Sequence, residues 1–140
     1  MSDAERLIEE FFEGLWNRDE PGLADRILSG DLRFRGTLGS ETRGREEFLA
    51  YVAGFRSAFP DWHCRIEEII DAGDRAAARM TFSGTHRGEL RGLEPTGRRV
   101  SYPGVTLFRF ERGRIAQVWA LGDTQQLWRD VGILQLPDEG

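Results

Sequence analysis

The order of two periodicities constrains this chain most: helical spacing comes first, alternating spacing after. Ala4, Leu7, Ile8, Phe11, Phe12, Leu15 and Trp16 recur at the spacing of one helix face. Ser2, Asp3, Ala4 and Glu5 can form a capping box in front of them. Residues 17–22 read as a turn. Pro21 suits a helix first turn, and Leu23, Ala24, Ile27 and Leu28 give a short second helix ending near Gly30. Leu32 and Phe34 alternate with Arg33 and Arg35 as a short strand. Residues 45–59 form a third helix, with Phe48, Val52, Phe55 and Phe59 on one face and Pro60 stopping it.

The second half is rich in strands. Trp62, Cys64, Ile66 and Ile70 alternate with His63, Arg65, Glu67 and Asp71, and residues 71–74 are a hairpin turn signal. Ala78, Met80, Phe82, Gly84 and His86 share one face of the next strand, with Arg79, Thr81, Ser83 and Thr85 on the other. Residues 88–99 are a loop or hairpin tip containing Gly and Pro. Strands follow at 100–110 and 114–122, separated by Glu111-Arg112-Gly113. Residues 124–131 close the chain as a helix, with Gly132 suited to its end. Helices first and antiparallel strands after define an α+β class. A curved antiparallel sheet wrapped around the N-terminal helices leaves an apolar pocket at its open end. With no repeat, low-complexity segment or linker, the 140 residues read as one domain, 1–140.

Composition removes several functions. A formal charge of −5 argues against a nucleic-acid binder, which would be basic. The acidic N-terminus followed by an amphipathic helix is not a signal peptide, and no apolar run approaches membrane-spanning length. The single cysteine, Cys64, excludes an intrachain disulfide and fits a reducing, cytoplasmic setting. All 19 basic residues are Arg, so a lysine Schiff base, covalent pyridoxal phosphate and a lysine-bearing phosphate loop are chemically impossible. No cofactor is expected. No metal is expected either: neighbours His63 and Cys64 point to opposite faces of a strand, and neither His-x-x-x-His nor Cys-x-x-Cys occurs.

Trp119-Ala120-Leu121-Gly122-Asp123 runs from a strand toward the last helix and ends in a carboxylate. Such an acid beside a large aromatic can do cofactor-free acid/base work, because desolvation raises its pKa. Asp123 also has Gln126 three residues on, the spacing of a helix N-cap. Both roles stay open, and they are compatible if one oxygen caps. On a regular strand Gln117, Trp119, Leu121 and Asp123 share a side. His86 points into the apolar face at a strand end, as a core residue or a substrate contact. A Cys64–His86 nucleophilic pair is a remote alternative. Arg87, Arg91, Arg98 and Arg99 could receive an anion or be a solvated loop. Trp119, Phe34, Trp16, Phe55, Met80 and Gln117 are candidate pocket walls, each also readable as core.

Taken in order, Phe59-Pro60-Asp61-Trp62, Gly84-Thr85-His86-Arg87-Gly88, Gly92-Leu93-Glu94-Pro95-Thr96-Gly97-Arg98, Phe108-Arg109-Phe110, Arg114-Ile115, Trp119 and Asp123 resemble the SnoaL-like polyketide cyclase family. That family lies within the nuclear-transport-factor-2-like superfamily. The resemblance runs from about residue 4 to 132. It implies a cone with a deep apolar pocket, commonly a homodimer through the sheet. It also implies an intramolecular aldol condensation of a polyketide ester, with Asp123 as acid/base and His86 as helper. Many members carry an acid where this chain has Gln117 and a histidine at Val118 or Leu121, so a second acid/base group near Asp123 is missing. Three functions follow: a cyclase-like enzyme, a non-catalytic small-molecule binder, and an epoxide hydrolase- or isomerase-like enzyme.

Overall fold

The computed structural model describes residues 1–133; the last seven residues of the expected domain lie outside them. Helix α1, Asp3–Glu9, starts at the cap Ser2, whose hydroxyl accepts the Glu5 amide at 3.1 Å. The helix then widens into a π-helical stretch, Glu10–Asn17, closed by an Arg18 amide that reaches back to the Glu13 carbonyl. The sequence spacing predicts an ordinary α-helix here. The wider winding instead buries Phe11, Phe12, Leu15 and Trp16 together, as π segments often do at functional sites. The Asn17 amide then pairs with both the N–H and the carbonyl of Cys64, tying this stretch to a sheet edge.

A turn at Pro21–Leu23 leads into α2, Ala24–Ile27, and strand β1, Leu28–Arg35, begins at once. The expected helix to Gly30 gives way because Leu28 pairs with Ile115 in the sheet. Strand β2, Glu41–Arg43, is too short to read from sequence and covers the outer edge of β1. Helix α3 spans Gly44–Ala58, close to expectation, and Phe59 and Pro60 end it. Then come β3 His63–Asp71, β4 Arg75–Thr85, β5 Arg99–Glu111, β6 Arg114–Gly122 and α4 Thr124–Asp130.

The six strands form one curved sheet in the order β2-β1-β6-β5-β4-β3. All neighbours are antiparallel except β1 and β6, which run parallel, so the expected purely antiparallel sheet is mixed. The π stretch and α3 lie across its concave side. Phe48 of α3 is at the centre, 5.5 Å from the Phe11 ring and 4.8 Å from Phe34. This is the expected α+β cone, its core made of helix faces and inward strand residues.

Strand parity decides what faces that core. On β4, Ala78, Met80, Phe82 and Gly84 point inward, as their polar neighbours require. On β3 a register shift between Ile66 and Glu68 turns the strand over. Ile70 is consequently 60% exposed instead of sharing the buried side with Cys64, while Ile69 packs against the core. His63 is exposed on the side opposite Cys64.

Candidate functional site

A small cavity, with about 30 Å³ of free space, lies between the helices and the concave sheet and opens at one end. Phe11, Phe12 and Trp16 wall it from the π stretch, Tyr51 and Phe55 from α3, and Phe34, Phe82, Val118 and Ala120 from the sheet. It is narrow between the rings. Every wall residue is buried except Thr37 and Tyr51, which are half-buried and mark the opening. Of the expected wall residues, Trp16, Phe34 and Phe55 are brought together here. Met80 is buried in the core away from the wall.

Polar atoms in the wall are few. Tyr51, at helical spacing from Phe48 and Phe55, places its hydroxyl against Gly36, where an added Cβ would overlap it. Burial pushes the Tyr51 phenol up to about 12, against the opposing charges of Arg91 and Arg35. Thr37 and Tyr102 hydrogen-bond through their hydroxyls at 2.9 Å, and burial raises the Tyr102 phenol too. Burial likewise raises the Cys64 thiol and keeps it protonated. Thr106 of β5 is 1% exposed, and its hydroxyl has no partner among the described residues. It sits directly across from Ala120 of β6, and both face the cavity.

The expected wall positions Trp119 and Gln117 are corrected. Val118 and Ala120 take the inward parity of β6, so Gln117, Trp119 and Leu121 point outward. Trp119 lies under the Arg35 guanidinium, which is 4.9 Å from the centre of its ring, and lines two hollows of the outer face. Both parities of β6 are apolar, so alternation alone could not choose between them.

Asp123 stays on the outer parity. It is exposed and caps α4, its Oδ1 accepting the Gln126 amide at 3.3 Å. It is not on the cavity wall. Its neighbour Gly122 is nearer: an added Cβ there would lie 2.9 Å from the Tyr102 ring and 3.1 Å from the Thr37 methyl. Asp123 thus begins one residue beyond the rim.

His86 is fully buried but off the wall, its ring 5.6 Å from that of Phe59. Its Nδ1 accepts the Thr96 amide at 3.2 Å and meets the Thr96 hydroxyl at 3.0 Å. Backbone bonds from His86 to Arg98 and from Gly97 to His86 close the loop it begins. Arg91 of that loop binds the Leu38 carbonyl and the Ser40 hydroxyl, beside Thr37 at the mouth. Cys64 and His86 are not joined by a hydrogen bond. Sequence reasoning missed Tyr51, Thr37 and Thr106; only Tyr51 carried a signal, its helical spacing.

The curved sheet wrapped on helices around an aromatic cavity places the chain in the α+β cone class of fold. Comparison with known proteins narrows the class. The family model described as SnoaL-like polyketide cyclase matches residues 6–131. Aklanonic acid methyl ester cyclase AcmA of Streptomyces galilaeus is 35% identical over 100 residues, 69% of each chain. Aklanonic acid methyl ester cyclase DnrD of Streptomyces peucetius is 36% identical over 77 residues, 54% of this chain and 52% of DnrD. The structure of TsrD from Streptomyces laurentii superposes with a TM-score of 0.83 at 31% identity, covering 94% of this chain and 96% of TsrD. This chain belongs to the SnoaL-like polyketide cyclase family.

Proposed function

We propose that this chain binds a hydrophobic carbonyl compound of the polyketide type in its aromatic cavity and closes a ring on it by a cofactor-independent intramolecular aldol step. One observation carries this reading: an aromatic cavity open at one end, whose polar groups are hydroxyls, a thiol and the indole N–H groups of Trp16 and Trp62, in a chain related to cyclases. In the aldol step a carbon next to a carbonyl loses a proton to a base. The resulting enolate carbon attacks a ketone carbon of the same molecule, a C–C bond forms, and the ketone oxygen takes up a proton. The proton lost equals the proton gained, so no co-reactant is consumed. An apolar wall that holds the two carbons together supplies the proximity.

This reading assigns the proton transfer to Asp123, whose Oδ1 is engaged by the cap. His86 serves as a positioning residue through the loop it anchors. A second reading, binding without turnover, is favoured by one specific observation: the wall holds no carboxylate, and Asp123 is exposed.

The test is incubation with aklanonic acid methyl ester, the compound named by the relatives, followed by chromatography for the ring-closed isomer. The wild type is expected to convert it. Ala120→Leu, which fills the cavity from β6, is expected to lose both binding and conversion. Binding without conversion would select the second reading; no binding would end both.

The outer face belongs to the same proposal. Ile70, Ala77, Leu107 and Trp119 follow one another across four strands, and Val105 and Leu121 extend the patch. A second copy of this chain covers that face, giving a homodimer through the sheet. Among the described residues no helix is long and apolar enough to cross a membrane. The buried thiol of Cys64 fits a cytoplasmic setting.

A further inference from the structure

We infer that the Thr106 hydroxyl is the deep polar anchor of the cavity, hydrogen-bonding a ketone or hydroxyl oxygen of the guest and selecting oxygenated rings over plain hydrocarbon ones. This deepens the proposed function and rests on its premise that the cavity takes a small molecule.

Buried hydroxyls in folded proteins nearly always have a partner. Among the described residues, three buried side-chain polar atoms lack one: Thr42 Oγ1, His86 Nε2 and Thr106 Oγ1. Thr42 lies on the short edge strand β2, and His86 is off the wall, so only Thr106 belongs to the cavity. The indole N–H groups of Trp16 and Trp62 also line the wall, but they only donate and cannot meet a guest hydroxyl's proton; the remaining hydroxyls and the thiol are spent or ill placed. The Tyr102 hydroxyl behind the wall is committed to Thr37, and Tyr51 stands at the mouth. Cys64 offers only a weak thiol donor.

Placement supports the role. Thr106 is held on the central β5 strand, paired on both sides, so its side chain cannot drift out to water. Its cross-strand partner on the wall is Ala120, whose single methyl offers the hydroxyl no hydrogen bond and crowds it little. A threonine hydroxyl both donates and accepts, so it can meet a ketone or a hydroxyl. A hydrocarbon guest would leave it orphaned, and that unmet group is the source of selectivity.

The experiment compares two probes of nearly the same shape, α-tetralone and tetralin, binding to the full chain. Quenching of tryptophan fluorescence reports on them, since Trp16 and Trp62 line the cavity. Thr106→Val keeps the shape and removes the hydroxyl; Thr106→Ser keeps the hydroxyl. Relative to wild type, Thr106→Val is expected to shift the ratio of the two Kd values about fivefold toward tetralin, the loss of one neutral hydrogen bond. Thr106→Ser is expected to stay within about twofold of wild type. An unchanged ratio in Thr106→Val, with both probes still binding, overturns the anchor and leaves the cavity reading standing. Failure of both probes to bind the wild type overturns the cavity reading and the anchor with it. A second readout is independent of ligand. Because the hydroxyl has no partner, Thr106→Val is expected to keep or raise Tm. A drop of several degrees would show that the hydroxyl is satisfied within the fold, and would overturn the proposal.

Discussion

Replacing Asp123 with Ala and with Asn separates its two roles. The Ala variant loses the cap. N-cap removal costs about 0.5–2 kcal/mol, and the 3.3 Å bond to the Gln126 amide sits at the long end of hydrogen-bond geometry. A loss of about 0.5–1 kcal/mol is therefore expected, or roughly 2–4 °C in Tm for a domain of this size. The fold survives, because α4 stays docked through Leu127, 0% exposed, Val131, 2% exposed, and the Asp130 carboxylate on the Ser101 amide. The Asn variant caps as well as Asp and loses only the charge at the helix N-terminus, about 0.3–0.5 kcal/mol for an exposed site. Its Tm should lie within about 2 °C of wild type. Conversion of aklanonic acid methyl ester should nevertheless fall in both variants, by roughly 10²–10⁴ if Asp123 moves the proton. Scanning calorimetry and a chromatographic rate assay read the two effects. Full activity in Asp123→Asn would refute the acid/base role. A Tm loss in Asn as large as in Ala would refute the capping account.

Three further outcomes are expected. Partial burial pulls the Asp61 carboxyl up, but the Thr85 amide and hydroxyl, with Arg99, hold it below its ordinary value of 3.8. A depressed folded-state pKa stabilises above the unfolded value and is lost as pH falls through the folded one. Wild type should therefore lose stability below about pH 4 that Asp61→Asn does not, and parallel acid curves for the two would contradict this. Burial lifts Tyr51 to about 12 and raises Tyr102 as well, so this contribution holds below the unfolded value of 10.0 and is lost as pH rises above it. Absorbance at the tyrosinate band should show both of the two tyrosines neutral at about pH 10 in the folded protein and half ionised in denaturant; ionisation before unfolding would refute the burial. Trp119→Glu, on the outer face, should halve the mass seen by sedimentation equilibrium while leaving circular dichroism unchanged. An unaltered mass would remove the outer face as the interface.

Much of the fold was legible because its signals are local. The heptad-like run from Ala4 to Trp16, the stop at Pro60, and the polar residues alternating with Met80 and Phe82 each name their own element and face. The Asp123 cap was legible too, since Gln126 is three residues away. Trp16, Phe34 and Phe55 could be picked out as wall residues because large aromatics on inward helix and strand faces have few other places to go.

Other features needed the assembled molecule. Parallel pairing of β1 with β6 joins residues some eighty positions apart in sequence, and no local pattern encodes it. The bulge at Glu67 moved Ile70 to solvent by adding one residue to one strand. On β6, Val118 and Ala120 compete with Trp119 and Leu121 for the inside, and hydrophobicity alone favours the larger pair. The helices decide against it: Phe11, Phe12 and Trp16 already fill the concave side, so small residues must face them and the large ones turn outward. That choice carried Asp123 out of the cavity and left Thr106 inside it without a partner. The sequence by itself determined which segments curl and which extend, since backbone periodicity is read within a few residues. The tertiary structure decided what the cavity can touch, because volume is shared among segments far apart in the chain.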